Sequence, residues 1–308
     1  MTSTTTTQRE NDTTASTPSP IPQPSIRLEI QKFKMTDIRR DSTLCCIAPR
    51  GSGKSFFVRD LMYHLKDIPR GIVFSGTEHA NPFFSSFIPD TYIHPRYQSE
   101  IVKKIIDKQA ERLRVSHEGK TVDNGVFIIM DDCLASANCW KNDPTLCEIL
   151  MNGRHYNIFY ALTMQYPLGI PPNLRSNIDY SVIFREPKRI NRKLLWEHYA
   201  SVIPSLDLFN DIMDQCTGDY NCIVIKNSST SNNFMDCVFW YKAEAREDFR
   251  VGCERFWRSH LDHYRPEAKK HPADIKKTSE LVSLFAPSKK KIHITIHKTD
   301  PDEDDLFA

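Results

Sequence analysis

The chain repeats one alternation of apolar and amphipathic stretches. Short, mostly apolar runs occur at Leu44–Ile47, Gly71–Ser75, Val126–Met130, Ile158–Thr163 and Asp179–Phe184. Such runs read as strands covered on both faces, the pattern of a parallel sheet. Stretches with helical periodicity separate them: Phe56–Leu65, Ser99–Val115, Leu146–Met151, Leu194–Met213 and Asp248–His260. In the second of these, Ile101, Val102, Ile105, Ile106 and Leu113 fall mainly on one face and charges fill the rest. Strand and helix in turn predict an α/β fold with a mostly parallel central sheet flanked by helices. Two later runs, Asn221–Ile225 and Met235–Trp240, flank the polar loop 227–233 and predict a C-terminal β-hairpin.

The ends of the chain break this pattern. Residues 1–25 are dominated by Thr, Ser, Pro, Gln and Asn and bury too little apolar surface to offset ordering entropy, so they predict a disordered tail. Ile26–Ile30 alternates and predicts a leading strand. Residues 263–308 are polar, with a Lys289–Lys291 run and the acidic Asp302–Asp305, and predict a second disordered tail with one short helix at 279–285. Between them, 26–262 predict one folded domain. Within it, 77–97 reads as a loop-rich crossover, 119–125 as a turn and 167–173 as a Pro-rich loop.

Chemistry enters just after the first apolar run. Ala48, Pro49, Arg50, Gly51, Ser52, Gly53, Lys54 and Ser55 follow it, and a helical pattern begins at Phe56. Strand, Gly-containing loop, Gly-Lys-Ser and helix, in that order, form the context of a phosphate-binding P-loop. Loop N–H groups point inward at an anion, and the helix N-terminus adds partial positive charge. Lys54 is positioned for the β- and γ-phosphates and the Ser55 hydroxyl for Mg²⁺. Residues 49–56 are therefore the candidate ATP-binding set. The usual motif opens on Gly, where this chain has Ala48.

A second site element closes the third apolar run, which ends in Asp131 and Asp132. Ligands of open α/β sheets bind beyond the carboxyl ends of strands, where this pair falls. Asp131 suits a carboxylate that orients the Mg²⁺ shell. Asp132 suits a base that polarises an attacking water, or a helix cap. Gln165 follows the next apolar run on the same expected edge, placed to bond the water or the γ-phosphate. Arg185, Lys188, Arg189 and Arg192 form a basic cluster that reads equally as a phosphate-backbone contact or a charged helix start. Arg39 and Arg40 read first as a solvated loop. Trp196 and Tyr199 read as core or interface, and His260 and His263 as structural or solvated, since no acid or Cys completes a metal set with them.

Composition narrows the partners. The net charge is only +2, so any basic surface is local. The N-terminus lacks the apolar core of a signal peptide, and no apolar run approaches the ~20 residues of a membrane span. The nine cysteines form no CxxC pairs, and Cys45, Cys46, Cys222 and Cys237 sit in apolar runs. They read as buried thiols of a reducing, intracellular compartment.

With the P-loop, the Asp131-Asp132 strand, Gly153-Arg154-His155-Tyr156-Asn157 and Thr163-Met164-Gln165 in hand, residues 28–260 resemble the genome-packaging ATPases of nucleocytoplasmic large DNA viruses and virophages, within the FtsK–HerA superfamily. That resemblance implies a P-loop NTPase of the additional-strand type, with an extra strand between the P-loop strand and the acidic strand that the 71–75 run would supply. It implies a pentameric or hexameric ring that moves double-stranded DNA into a preformed capsid, and a capsid or portal-vertex protein as partner. It places the protein in a virus factory or virion. Residue by residue, it implies nucleotide and Mg²⁺ groups at Lys54 and Ser55, a metal carboxylate at Asp131, a base at Asp132 where many members have Glu, a sensor at Gln165, and an arginine finger at Arg154 with Arg175 as second candidate. Two other classes stay open on the residues alone: a P-loop nucleotide or small-molecule kinase, and a scaffold that binds ATP without hydrolysing it.

Overall fold

The computed structural model describes residues 28–117, 124–133 and 143–264. Both predicted tails lie almost entirely outside these residues, as do the 279–285 helix and most of the 119–125 turn. The described strands join one nine-stranded sheet, in the order β1-β9-β8-β7-β2-β6-β5-β3-β4. In chain order they are β1 (Gln31–Lys32), β2 (Thr43–Ile47), β3 (Gly71–Ser75), β4 (Ile93–His94), β5 (Val126–Asp131), β6 (Ile158–Met164), β7 (Tyr180–Phe184), β8 (Asn221–Lys226) and β9 (Val238–Lys242). Pairing is parallel except at β7–β8 and β8–β9, the hairpin side. The fold is the mostly parallel α/β sheet that the apolar runs predict.

The resemblance's extra strand needs a correction. β3 lies between β2 and β5 only along the chain; in the sheet it sits outside β5. The strand between β2 and β5 is β6. The reason is the crossover: three strands, β3, β4 and β5, are laid down on one side of β2, and β6 then returns into the gap beside it.

Each central strand is buried on both faces, which explains the unbroken apolar runs. Along β2, Cys45 and Ile47 join one core while Leu44 and Cys46 join the other. The first core is covered by α2 (Ser99–His117), α3 (Pro144–Asn152), α5 (Arg189–Tyr199) and α6 (Leu206–Cys216), and the second by α1 (Lys54–His64) and α7 (Glu254–His263). A short helix, α4 (Pro172–Arg175), precedes β7. Among the described residues no helix is long and apolar enough to cross a membrane.

Several predicted boundaries moved. The single helix expected over 194–213 is two, α5 and α6, because Pro204 and the Ser205 N-cap interrupt it; Ser205 Oγ accepts the Leu208 N–H. The last helix starts at Glu254 rather than 248, after Gly252 takes φ +94°. The first strand is the pair Gln31–Lys32; of the leading strand expected over 26–30, residues 28–30 are not strand and 26 and 27 lie outside the described residues.

One buried carboxylate locks α1 to the sheet. Asp60 is fully buried and accepts the Tyr241 hydroxyl at 2.5 Å, Arg246 Nε at 2.6 Å and the Glu244 N–H at 2.9 Å. A charge removed from water is tolerated only with such partners. The helix that begins at the P-loop is thereby held to the end of β9.

Candidate functional site

The parallel register lines up the ends of four strands. One row across the sheet runs Ser75 on β3, Asp131 on β5, Thr163 on β6 and Cys46 on β2. Ser75 and Thr163 are buried polar residues at the ends of apolar strands, at 1% and 0% exposure. Their hydroxyls serve Asp131: Thr163 Oγ1 donates to Oδ1 at 2.6 Å and Ser75 Oγ to Oδ2 at 3.3 Å. The Thr163 oxygen also accepts the Asp132 N–H at 3.2 Å. It thus holds Asp132 in its left-handed backbone conformation, φ 48°, which Asp adopts more readily than most residues. Ser75 and Thr163 were missed as site residues by sequence reasoning. Their signal was a lone hydroxyl closing each apolar run.

The P-loop curls over the next strand. Ala48 N–H continues the ladder by donating to the Met164 carbonyl at 3.0 Å, and its methyl is buried in the second core. Its φ is not positive, so this position needs no glycine. Gly51 and Gly53 do, at φ +72° and +99°. Gly53 caps α1, whose first N–H groups are left facing the loop. Ser52 turns back, its Oγ donating to the Pro49 carbonyl at 2.7 Å.

The two motifs meet directly. Lys54 Nζ lies 2.5 Å from Asp132 Oδ2, with the side chains only 12% and 21% exposed. Gln165 Nε2 donates to the same Oδ2 at 3.0 Å. Asp132 Oδ1 is buried and has no hydrogen-bond partner. An open cavity of about 670 Å³ lies over this junction, lined by Pro49, Arg50, Gly51, Gly53, Lys54, Ser55, Phe56 and Asp132 from the predicted set, together with Tyr220, Lys242 and Ala243. Ser52 instead faces a neighbouring cavity of about 440 Å³ that also takes in Arg50, Arg185 and Asp219.

The donor set fits Mg²⁺. The groups offered are oxygens of Ser55, Asp131 and Asp132, one of them the orphaned Oδ1, and hard cations take oxygen. Among the described residues no cluster of three or more His, Cys, Asp or Glu could cage a metal. Mg²⁺ does not ask for one, since it binds through one or two carboxylates plus substrate phosphates. The thiols nearby are inert: burial pushes Cys46 and Cys133 up to about 12.

Burial also raises the Asp131 carboxyl above its ordinary value, against the opposing pull of the Thr163 bond and the Lys54 charge. The sign follows. A raised carboxyl favours the folded state below the unfolded-state value, and that contribution is lost as pH climbs through the folded one. In EDTA at neutral pH, charged Asp131 therefore opposes folding. Asp131→Asn is expected to raise the melting temperature there, with the gap narrowing as pH falls into the carboxylate range. Differential scanning fluorimetry across pH checks it.

The arginines lie elsewhere. Arg154 is exposed on the 3-10 turn Gly153–Tyr156, just before β6 begins, at the amino edge of the sheet. The length of β6 separates it from Thr163, about 20 Å at ~3.3 Å per residue. Arg175 is half-buried: its Nε donates to the Ile170 carbonyl at 2.9 Å, and its guanidinium stands 5.7 Å from the Tyr199 ring centre. Neither lines the cavity over Lys54. In the basic cluster, Arg185, Lys188 and Arg189 are exposed. Arg192 is engaged within the chain: it donates to the Glu186 carbonyl and to Asp214, each at 2.6 Å, and its side chain is only 14% exposed. Trp196 bonds the Ile203 carbonyl, His260 bonds Thr91, and Arg39 pairs with Asp41, all structural roles.

Over residues 30–245 the sequence matches the profile of the Poxvirus A32 protein family. The chain belongs to that family. The A32 match takes in the P-loop, Asp131, Asp132, Arg154, Thr163 and Gln165 together. Relatives within reach are also viral. Uncharacterized protein L437 of Acanthamoeba polyphaga mimivirus is 38% identical over 248 residues, 78% of this chain and 86% of that protein. Uncharacterized protein 088R of Invertebrate iridescent virus 3 is 37% identical over 217 residues, 69% of this chain and 81% of that protein. The resemblance to proteins of large DNA viruses is met. Among solved structures, the genome packaging NTPase B204 from Sulfolobus turreted icosahedral virus 2, in complex with AMPPCP, aligns at TM-score 0.46 and 14% identity, over 67% of this chain and 100% of that one. At that level of likeness no residue role transfers.

Proposed function

We propose that this A32-family chain is an ATP-driven motor that moves double-stranded viral DNA into a preformed capsid, as a homo-oligomeric ring with ATP at the subunit boundaries. The observation that carries the reading is the Asp132 carboxylate, shared by the P-loop Lys54 and by Gln165, with its second oxygen buried and unbonded. A P-loop that only held phosphate would need neither a poised carboxylate nor an amide to read it.

The chemistry follows from charge. Lys54 balances the charge of Asp132. Triphosphate oxygens compete for the ammonium, and the freed carboxylate then aligns a water on the γ-phosphate. Gln165 stays bonded to Asp132 and registers which state it is in. Ser55 and Asp131 would hold Mg²⁺, which supplies charge neutralisation at the phosphates. Arg154, too far from its own P-loop, would act as a finger in a neighbour's site; Arg175 is tied down by its packing. Exposed Arg185, Lys188 and Arg189 would hold the DNA backbone without reading sequence. A capsid or portal-vertex protein is the docking partner, in a virus factory or virion.

The test is ATP turnover by the purified chain with and without duplex DNA, alongside a mass measurement of the assembly. Turnover stimulated by duplex DNA in a ring-sized assembly is expected. Stimulation by a nucleoside instead would mean a kinase, and binding without turnover would mean a scaffold.

A further inference from the structure

Two aromatic rings flank the phosphate loop and play no part in the chemistry of Asp131 and Asp132. Phe56 and Tyr220 are each 64% exposed, and both line the cavity over Lys54. Tyr220 is held there against its backbone preference. Asp219 and Tyr220 are consecutive non-glycine residues at φ 51° and 60°, a region that bulky side chains rarely enter. The turn is closed by the Asn221 N–H, which donates to the Gly218 carbonyl at 3.0 Å, and it is pinned to β9 by the Asp219–Lys242 ion pair. The tyrosine stands directly against the loop: a Cβ built on Gly53 would come within 3.3 Å of Tyr220 Cβ and 3.4 Å of its Cδ1. Strain of this kind survives where the surroundings over-determine it, and it gathers at ligand sites.

We propose that Tyr220 is the stacking platform for the base of the bound nucleoside triphosphate, a step that rests on the P-loop reading. The loop amides and Lys54 fix the phosphate end of the ligand. Beyond them the cavity wall is Phe56, Tyr220, Ala243 and the stem of Lys242, whose ammonium is engaged by Asp219. Such a wall offers a flat ring and apolar surface rather than phosphate-binding charge, which suits a base. Stacking on a ring is available to every base, because each has a π-face. Gly53 then has two reasons to lack a side chain: its positive φ, and the ring that stands where a side chain would project.

The test compares two ligands on the full chain by calorimetry, both with Mg²⁺: ATP, and tripolyphosphate, which has no base. Tyr220→Gly removes the ring while suiting the positive φ, so it is expected to fold. It should weaken ATP by about tenfold and leave tripolyphosphate unchanged. Tyr220→Phe should bind ATP like the wild type. Unchanged ATP affinity in Tyr220→Gly, or equal weakening of both ligands, overturns the proposal. A shift in assembly mass with ATP affinity intact would assign the ring to a subunit contact and also overturns it. A wild-type chain that binds neither ligand removes the P-loop reading itself, and this inference with it.

Discussion

Lys54→Ala is expected to abolish ATP turnover, with a fall in kcat of at least about 10²–10³, the loss that follows removal of one preorganised donor from a developing oxyanion. The effect should exceed that of any substitution on the cavity rim, because Lys54 has two tasks. In the proposed function it would supply positive charge to the triphosphate, and in the structure it balances Asp132 at 2.5 Å. The variant leaves that partly buried carboxylate with Gln165 as its remaining partner. A second substitution separates the tasks. Adding Asp132→Asn to Lys54→Ala should restore melting temperature, since the unbalanced charge is gone, while turnover stays absent. Steady-state phosphate release and thermal melting on the single and double variants check this. Retained turnover in Lys54→Ala would refute the nucleotide site.

Arg154→Ala is expected to lose about 10³–10⁵ in kcat, the contribution of an arginine finger, with ATP affinity little changed. The geometry makes the cis explanation untenable. Arg154 stands at the amino edge of the sheet and Lys54 at the carboxyl edge, with the whole of β6 between. A purely structural role is a poor alternative for an exposed side chain. Mixing tests the direction of action. An Arg154→Ala subunit keeps an intact P-loop, and a Lys54→Ala subunit keeps Arg154. Mixed rings should recover activity in proportion to the product of the two subunit fractions. Arg154→Lys should not substitute, because an ammonium lacks the planar fork. No recovery in the mixture would deny Arg154 a role in trans.

Much of the site was legible because its parts are local. A P-loop is a strand, a loop and a helix start within about a dozen residues, and its spacing alone states the geometry. Asp131, Asp132 and Gln165 were legible as polar residues closing apolar runs on one sheet edge. Ser75 and Thr163 carried the same signature more faintly, because a hydroxyl at a strand end is common. Tyr220 carried none: its position against Gly53 depends on a turn separated from the loop by most of the fold. Arg192 reads like its basic neighbours in the sequence, and only the fold gives it Asp214 and the Glu186 carbonyl as partners.

The sequence by itself determined the element types, the parallel sheet and the strand, loop and helix start that carry Lys54 and Ser55, since periodicity and short-range spacing encode these directly. Only the tertiary structure decided that β6 rather than β3 separates the P-loop strand from the acidic strand, that Lys54 pairs with Asp132, and that Arg154 lies at the opposite sheet edge from Lys54. Those three facts depend on how distant segments are laid side by side. Strand order is a long-range choice made by packing two cores at once, and no local pattern along the chain records it.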